Sequence, residues 1–179
     1  MTMRVLMVFC IVMGTGCSAT TSIVSRKAPD FQDKLTDMFV ISQVGSSGEI
    51  SPDLFKIELE QRAQGCGIRL GVSNVSRLEL DPEIHLTRMK SFGSRYLLTL
   101  AATGGTKTNG TITQATYDAR LYEEPKRMVW RADVQLNLGG AVQAGSAELA
   151  HQLLIKLNAD GVTRWCSWPG QVHGSTSSP

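Results

Sequence analysis

Aromatic side chains make up only 6% of this 179-residue chain. Such scarcity disfavours a stacking platform for single-stranded nucleic acid. An excess of one charge is missing too. Eighteen basic residues against 16 acidic give +2. Residues 1–16 carry Arg4 and no acid, so without them the balance is 17 against 16, or +1. With no basic patch interleaved with aromatics, nucleic acid is excluded as a partner. No apolar run approaches the roughly 20 residues of a membrane-spanning helix. The catalytic signatures are absent as well. There is no GxSxG elbow, no HExxH and no CxxC. The stretch TGGTKTNG, Thr103–Gly110, has glycine and lysine without the spacing of a phosphate-binding loop, and reads as a turn. The three histidines, His85, His151 and His173, lie far apart in the sequence and outside any cluster of carboxylates. His151 reads as a packing residue in a helix, and His85 and His173 read as solvent-exposed. No metal, no cofactor and no nucleophile–base set is expected, so the chain is read as a non-enzyme.

What is present begins with an address. Arg4 precedes Val5–Met13, an apolar run of nine residues. That length suits the apolar region of an export signal, about 7–15 residues. Gly14, Thr15 and Gly16 follow, small enough for the shallow pockets of a peptidase, and then Cys17. An apolar segment, small residues and a cysteine resemble the lipobox of bacterial lipoproteins. Gly14 stands where that pattern commonly has leucine. The resemblance implies cleavage before Cys17 and acylation of its thiol and new amine. Ser18 behind the cysteine is similar to the class sorted to the outer membrane. Two or three acyl chains, at roughly 0.8 kcal/mol per buried methylene, would anchor the protein stably. The alternative is an ordinary secretory signal and a soluble periplasmic or secreted product. Ser18–Pro29, polar and rich in small residues, is expected to be part of a flexible tether over residues 17–35. The tail, residues 169–179, is expected to be disordered.

Of four cysteines, Cys10 belongs to the leader and Cys17 to the anchor. In an oxidising envelope the remaining pair, Cys66 and Cys166, is expected to form a disulfide. Two separate buried thiols are the alternative.

Between residues 36 and 168 the pattern is that of one domain. Asp37–Val44 reads as a strand. Ser51-Pro52-Asp53 is a helix start, with a capping hydroxyl, proline at the first helical position and an early acid. Leu54, Phe55, Ile57, Leu59 and Ala63 form its apolar side, and Gly65 its end. Cys66–Leu80 is strand-like, Glu83–Ser91 a short helix and Ser94–Ala102 a central strand. Two stretches alternate with period two: Ala115, Tyr117, Ala119 and Leu121, then Met128, Trp130, Ala132, Val134, Leu136 and Leu138. They predict an antiparallel hairpin buried on one face. Its register can be argued from charge. Opposing Asp118 with Arg131 is favourable, whereas opposing Arg120 with Arg131 and Asp118 with Asp133 is repulsive. The first pairing, with Glu123–Lys126 as a four-residue loop, is therefore expected. Gly145–Val162 reads as a helix capped by Ser146, and Val162–Trp168 as a last strand. The predicted fold is α+β: a mostly antiparallel sheet with helices packed on one face, a two-layer sandwich.

The segments RYLLTLAATGG, YDARLYEEPKRMVWRADVQL and LAHQLLIKLNADG together resemble small uncharacterised outer-membrane lipoproteins of Gram-negative bacteria. More distantly they are similar to periplasmic α/β modules of envelope accessory proteins, such as the curli secretion lipoprotein and the N-terminal domain of the Tol propeller protein. The resemblance implies an adaptor or assembly accessory facing the periplasm, held on the membrane and bound to another envelope protein. It assigns no residue a role. Two other readings stand beside it. One is a transport-auxiliary lipoprotein with an apolar pocket under the hairpin, lined by Tyr117, Trp130 and Leu136. The other is an immunity-type inhibitor of a toxin. Trp165 and Trp168, flanking Cys166, are candidates for a contact patch with Tyr117 and Trp130.

Overall fold

The computed structural model describes residues 19–76, 83–123, 127–139, 142–164 and Cys166. Six strands and three helices follow in the order β1 (Thr20–Lys27), β2 (Asp37–Ser42), α1 (Pro52–Gly65), β3 (Arg69–Asn74), α2 (Glu83–Phe92), β4 (Tyr96–Thr108), β5 (Thr111–Glu123), β6 (Arg127–Asn137) and α3 (Val142–Ala159). The strands form one sheet in the order β1-β6-β5-β4-β2-β3. β2 runs parallel to both its neighbours, β3 and β4, and the other strand pairs are antiparallel. The protein is thus α+β, with a mostly antiparallel sheet and three helices packed against it.

Local grammar explains α1. The Ser51 hydroxyl accepts from the Leu54 amide at 3.3 Å, Pro52 opens the helix and Asp53 favours its positive end. Phe55, Leu59 and Ala63, one turn apart, face the core. Leu54 and Ile57, expected on that side, are exposed. In α3 the expected cap is corrected. The helix begins at Val142, and Ser146 is fully buried inside it. Its hydroxyl donates to the Ser51 carbonyl and accepts from the Ser51 amide, both at 3.2 Å. Lying inside α3 rather than at its start, this serine joins α3 to the start of α1. Gly145 permits the approach, since a Cβ there would sit 2.5 Å from Leu138 and 2.9 Å from Ile50.

The core lies between the sheet and the α1–α3 layer, filled by Met38, Val40, Leu98, Tyr117, Trp130, Leu136 and their neighbours. Chain handedness sends α2 to the other face. The β2–α1–β3 connection moves outward along the sheet and β3–α2–β4 returns across β2, so right-handed crossovers put the two helices on opposite sides. Accordingly Phe92 of α2 packs on Phe39, with ring centroids 5.7 Å apart. Phe39 alternates with the core residues Met38 and Val40.

Three expectations about strands are corrected. Residues 20–27, read as tether, form β1, which pairs along its whole length with β6. The turn expected over Thr103–Gly110 is only its end. Thr103–Thr108 extend β4, and the chain reverses at Asn109 and Gly110, with φ 51° and 81°. Asn-Gly in this conformation matches the twist of a hairpin. The hairpin register is the one that charge counting rejected: Arg120 faces Arg131 and Asp118 faces Asp133. Counting directly opposed residues ignores diagonal contacts. Asp118 accepts from Arg120 Nε at 2.8 Å and Nη2 at 2.5 Å, and from Arg131 Nε at 3.1 Å. One carboxylate, 7% exposed, serves both arginines and removes their repulsion. A bulge between Leu121 and Tyr122 shifts the last pairs, so Tyr122 faces Met128 and Glu123 faces Arg127. Val129 thereby joins Trp130 inside, and Met128, expected inside, is 47% exposed.

The Arg120 hydrogen bond, opposed by burial and helped by Arg131, holds the Asp118 carboxyl below its ordinary value. A depressed pKa stabilises the fold above the unfolded value near 3.9 and ceases to do so as pH falls through the folded value. Asp118→Ala should cost about 1–2 kcal/mol at pH 7, the half-exposed arginines limiting the loss. Urea unfolding checks it: the deficit should shrink as pH falls below the unfolded value near 3.9, and a deficit independent of pH would contradict the role given to this carboxylate.

Candidate functional site

The site is built where β4 and β5 run past the sheet beside the β2–α1 loop. Glycines at 45 and 48, both with φ 78°, turn that loop twice and return Glu49 into the molecule. A side chain at 45 would collide with the Ile50 carbonyl at 2.6 Å. The Glu49 carboxylate, in a residue 3% exposed, is held by three donors. Oε1 accepts from the Gly45 amide at 2.9 Å and from Tyr117 Oη at 2.8 Å; Oε2 accepts from the Ser47 amide at 2.9 Å. Burial first, then the Glu49 charge, push the Tyr117 phenol far above its ordinary range, so it remains a donor.

Facing this loop, β4 is irregular twice, between Ala102 and Gly104 and between Thr106 and Lys107. Irregularities of this kind re-aim side chains. They open a recess of about 330 Å³ whose wall includes Ser47, Glu49, Thr103, Lys107 and Gln114, with Ile112 on its apolar side. Hydrogen bonds already fix part of the wall. Thr103 Oγ1 donates to Thr116 Oγ1, and Gln114 bonds Thr106 and Asn137.

Charge marks the recess. Three carboxylates are buried among the described residues: Glu49, Asp118 and Glu123. Asp118 has Arg120 and Arg131, and Glu123 has Arg95 and Arg127. Among the described residues, Glu49 alone of the three has no cation beside it. Neither Glu49 nor Lys107 was picked out from the sequence. The one available signal was the spacing in GSSGE, where two glycines bracket a turn that ends on an acid.

The pocket expected under the hairpin does not form there. Tyr117, Trp130 and Leu136 are at most 2% exposed and packed in the core, because the α1–α3 layer fills the space beneath them. Tyr117 and Trp130 are therefore no contact surface. Tyr117 reaches the recess only through its bond to Glu49, and Trp130 donates its indole N–H to Asp160 at 2.7 Å. Cys66 and Cys166 form a disulfide, with sulfurs 2.15 Å apart, tying the end of α1 to the segment beyond α3. In that segment Thr163 bridges in parallel to Leu35. Cys17, Trp165 and Trp168 lie outside the described residues.

His85, expected in solvent, is 3% exposed, because α2 turns it inward onto β3. Its Nδ1 stands 2.8 Å from Ser73 Oγ, which also accepts from Arg88 Nη1 at 3.2 Å. Ser73 is 2% exposed, so no substrate carbonyl can reach its hydroxyl, and the contact secures α2 rather than arming a nucleophile. His151 is half-buried between α3 and α1, its Nδ1 3.0 Å from Arg62 Nη1. Burial, then the arginine charge, lower its pKa and favour the neutral ring as acceptor. Among the described residues no group of three or more His, Cys, Asp or Glu is placed to hold a metal. No described helix is long and apolar enough to cross a membrane.

No protein-family model matches the chain, and no curated protein matches it significantly. Solved structures do. A PelC dodecamer from Paraburkholderia phytofirmans is 14% identical, with a TM-score of 0.48, over 82% of this chain and 100% of that one. A point variant of PelC from the same organism, also a dodecamer, is 13% identical, with a TM-score of 0.50, over 81% of this chain and 100% of that one. At such identity the likeness is one of fold: this chain is built like PelC.

Proposed function

We propose that the protein is a non-enzymatic lipoprotein of the bacterial envelope, an adaptor or assembly accessory anchored through acylated Cys17 and facing the periplasm. The lipobox-like N-terminus supports the anchor. The observation that carries the adaptor reading is at the β3 end of the sheet. There, among the described residues, β3 has no further strand on its outer side. The helices on its two sides carry large apolar side chains in solvent: Leu54 and Ile57 on α1, at 37% and 47% exposure, and Ile84 and Leu86 on α2, at 40% and 44%. An open edge flanked by apolar residues is a surface on which an envelope protein can settle.

The test uses intact protein and Cys17→Ser. Intact protein should fractionate with membranes and Cys17→Ser should not. Ile57→Glu and Leu86→Glu, both surface changes, should keep membrane location and lose the co-purified partner. Mass spectrometry showing an uncut leader or an unmodified Cys17 would overturn the anchor. Unchanged co-purification in both glutamate variants would overturn the docking surface.

A further inference from the structure

The recess between the β2–α1 loop and the β4–β5 ribbon holds two charges that have no counter-ion among the described residues. Glu49 is buried and held by neutral donors only, the Gly45 and Ser47 amides and the Tyr117 hydroxyl. Burying a carboxylate without a cation is costly, and every other buried carboxylate described here has two arginines. Lys107 lines the same recess, exposed, and makes no ion pair with any described residue. The two charges do not pair with each other across the gap. Glu49 Oε2 accepts a single hydrogen bond and keeps acceptor capacity.

We propose that this recess binds a small zwitterion, its ammonium at Glu49 and its carboxylate or other anionic group at Lys107. A simple cation would meet Lys107 and a simple anion Glu49; only a molecule bearing both charges satisfies the two walls at once. The volume, about 330 Å³, lies at the small end of ligand sites and suits a molecule of amino-acid size. The fixed polar wall and the anchored carboxylate are organised in advance, so little ordering accompanies binding. The recess shares no lining residue with the apolar side chains of the docking surface, and it does not depend on the adaptor reading.

Calorimetric titration of the purified full chain tests it, using 4-aminobutyrate and 6-aminohexanoate as zwitterions of different charge separation, with butylamine and butyrate as single-charge controls. At least one zwitterion should bind about tenfold or more tightly than either control. Lys107→Ala, at an exposed position, should abolish that preference and leave affinity at the level of butylamine. Glu49→Gln should remove binding altogether. The proposal is overturned if neither zwitterion saturates below about 10 mM, or if Lys107→Ala binds the zwitterion unchanged. The lysine variant decides the matter even if Glu49→Gln does not fold.

Discussion

Reduction of the Cys66–Cys166 disulfide is expected to lower stability by about 4 kcal/mol. The bridge spans a sequence separation of 100, and closing a loop of that size removes roughly 4.7 kcal/mol of entropy from the unfolded chain; residual structure in that chain reduces the figure. The folded contacts add a local reason. Cys66 caps α1, and Cys166 follows the Leu35–Thr163 bridge. The disulfide is therefore a covalent tie between the two helices of the core layer at one end of the sheet. Cys66 and Cys166 are 5% and 2% exposed, so mild reductant should act slowly on the native protein and quickly on the unfolded one. For a domain of this size each kcal/mol moves the midpoint by about 2–4 °C, so melting should fall on the order of 10 °C. Thermal melts with and without reductant check it, with Cys66→Ser/Cys166→Ser as the second route. A midpoint unmoved in the double variant would show that the fold holds this junction without the bond.

Short-range grammar made α1 and the β5–β6 alternation legible. Ser51-Pro52-Asp53 acts within one turn, and Tyr117 and Trp130 sit on strands whose burial period is two. The failures were non-local. β1 reads as tether because TTSIVSRK is mostly polar; it is an edge strand whose partner, β6, lies far along the chain. Such a strand needs no apolar face beyond Ile23. Register failed for the same reason, since Asp118 satisfies a diagonal arginine that a one-dimensional count of opposed residues never sees. Met128 was lost to one extra residue in β6, which reverses the alternation from that point. His85 was misread because its helix turns the apolar Ile84 and Leu86 to solvent and buries the histidine on a polar contact to Ser73. The Glu49 site depends on a loop, a strand irregularity and a tyrosine from three separate segments, and no spacing rule joins them.

Trp130→Ala is expected to cost about 4 kcal/mol, the range for removing a large aromatic from a core. Trp130 is fully buried and heads the large side chains that are. Its loss also breaks a junction of three elements, because Asp160 accepts from the Trp130 indole at 2.7 Å, from Ser25 of β1 at 2.5 Å and from Lys156 of α3 at 3.1 Å. Trp130→Phe separates the two effects: it retains most of the apolar volume and removes the indole donor, for about 1–2 kcal/mol. Acid provides the discriminating readout. Burial alone would raise the Asp160 carboxyl; the donors from Ser25, Trp130 and Lys156 outweigh it and hold the group below its ordinary value. Its contribution is thus present above the unfolded value near 3.9 and fades as pH falls through the folded value. With one donor gone, the folded value in Trp130→Phe rises toward the unfolded one, so the variant has less of this stability to lose as pH falls below about 3.9. Urea unfolding at pH 7 and pH 3 tests both parts, the deficit of the phenylalanine variant narrowing in acid. Equal deficits at the two pH values would mean that Trp130 contributes only its bulk, and that Asp160 is held by β1 and α3 without it.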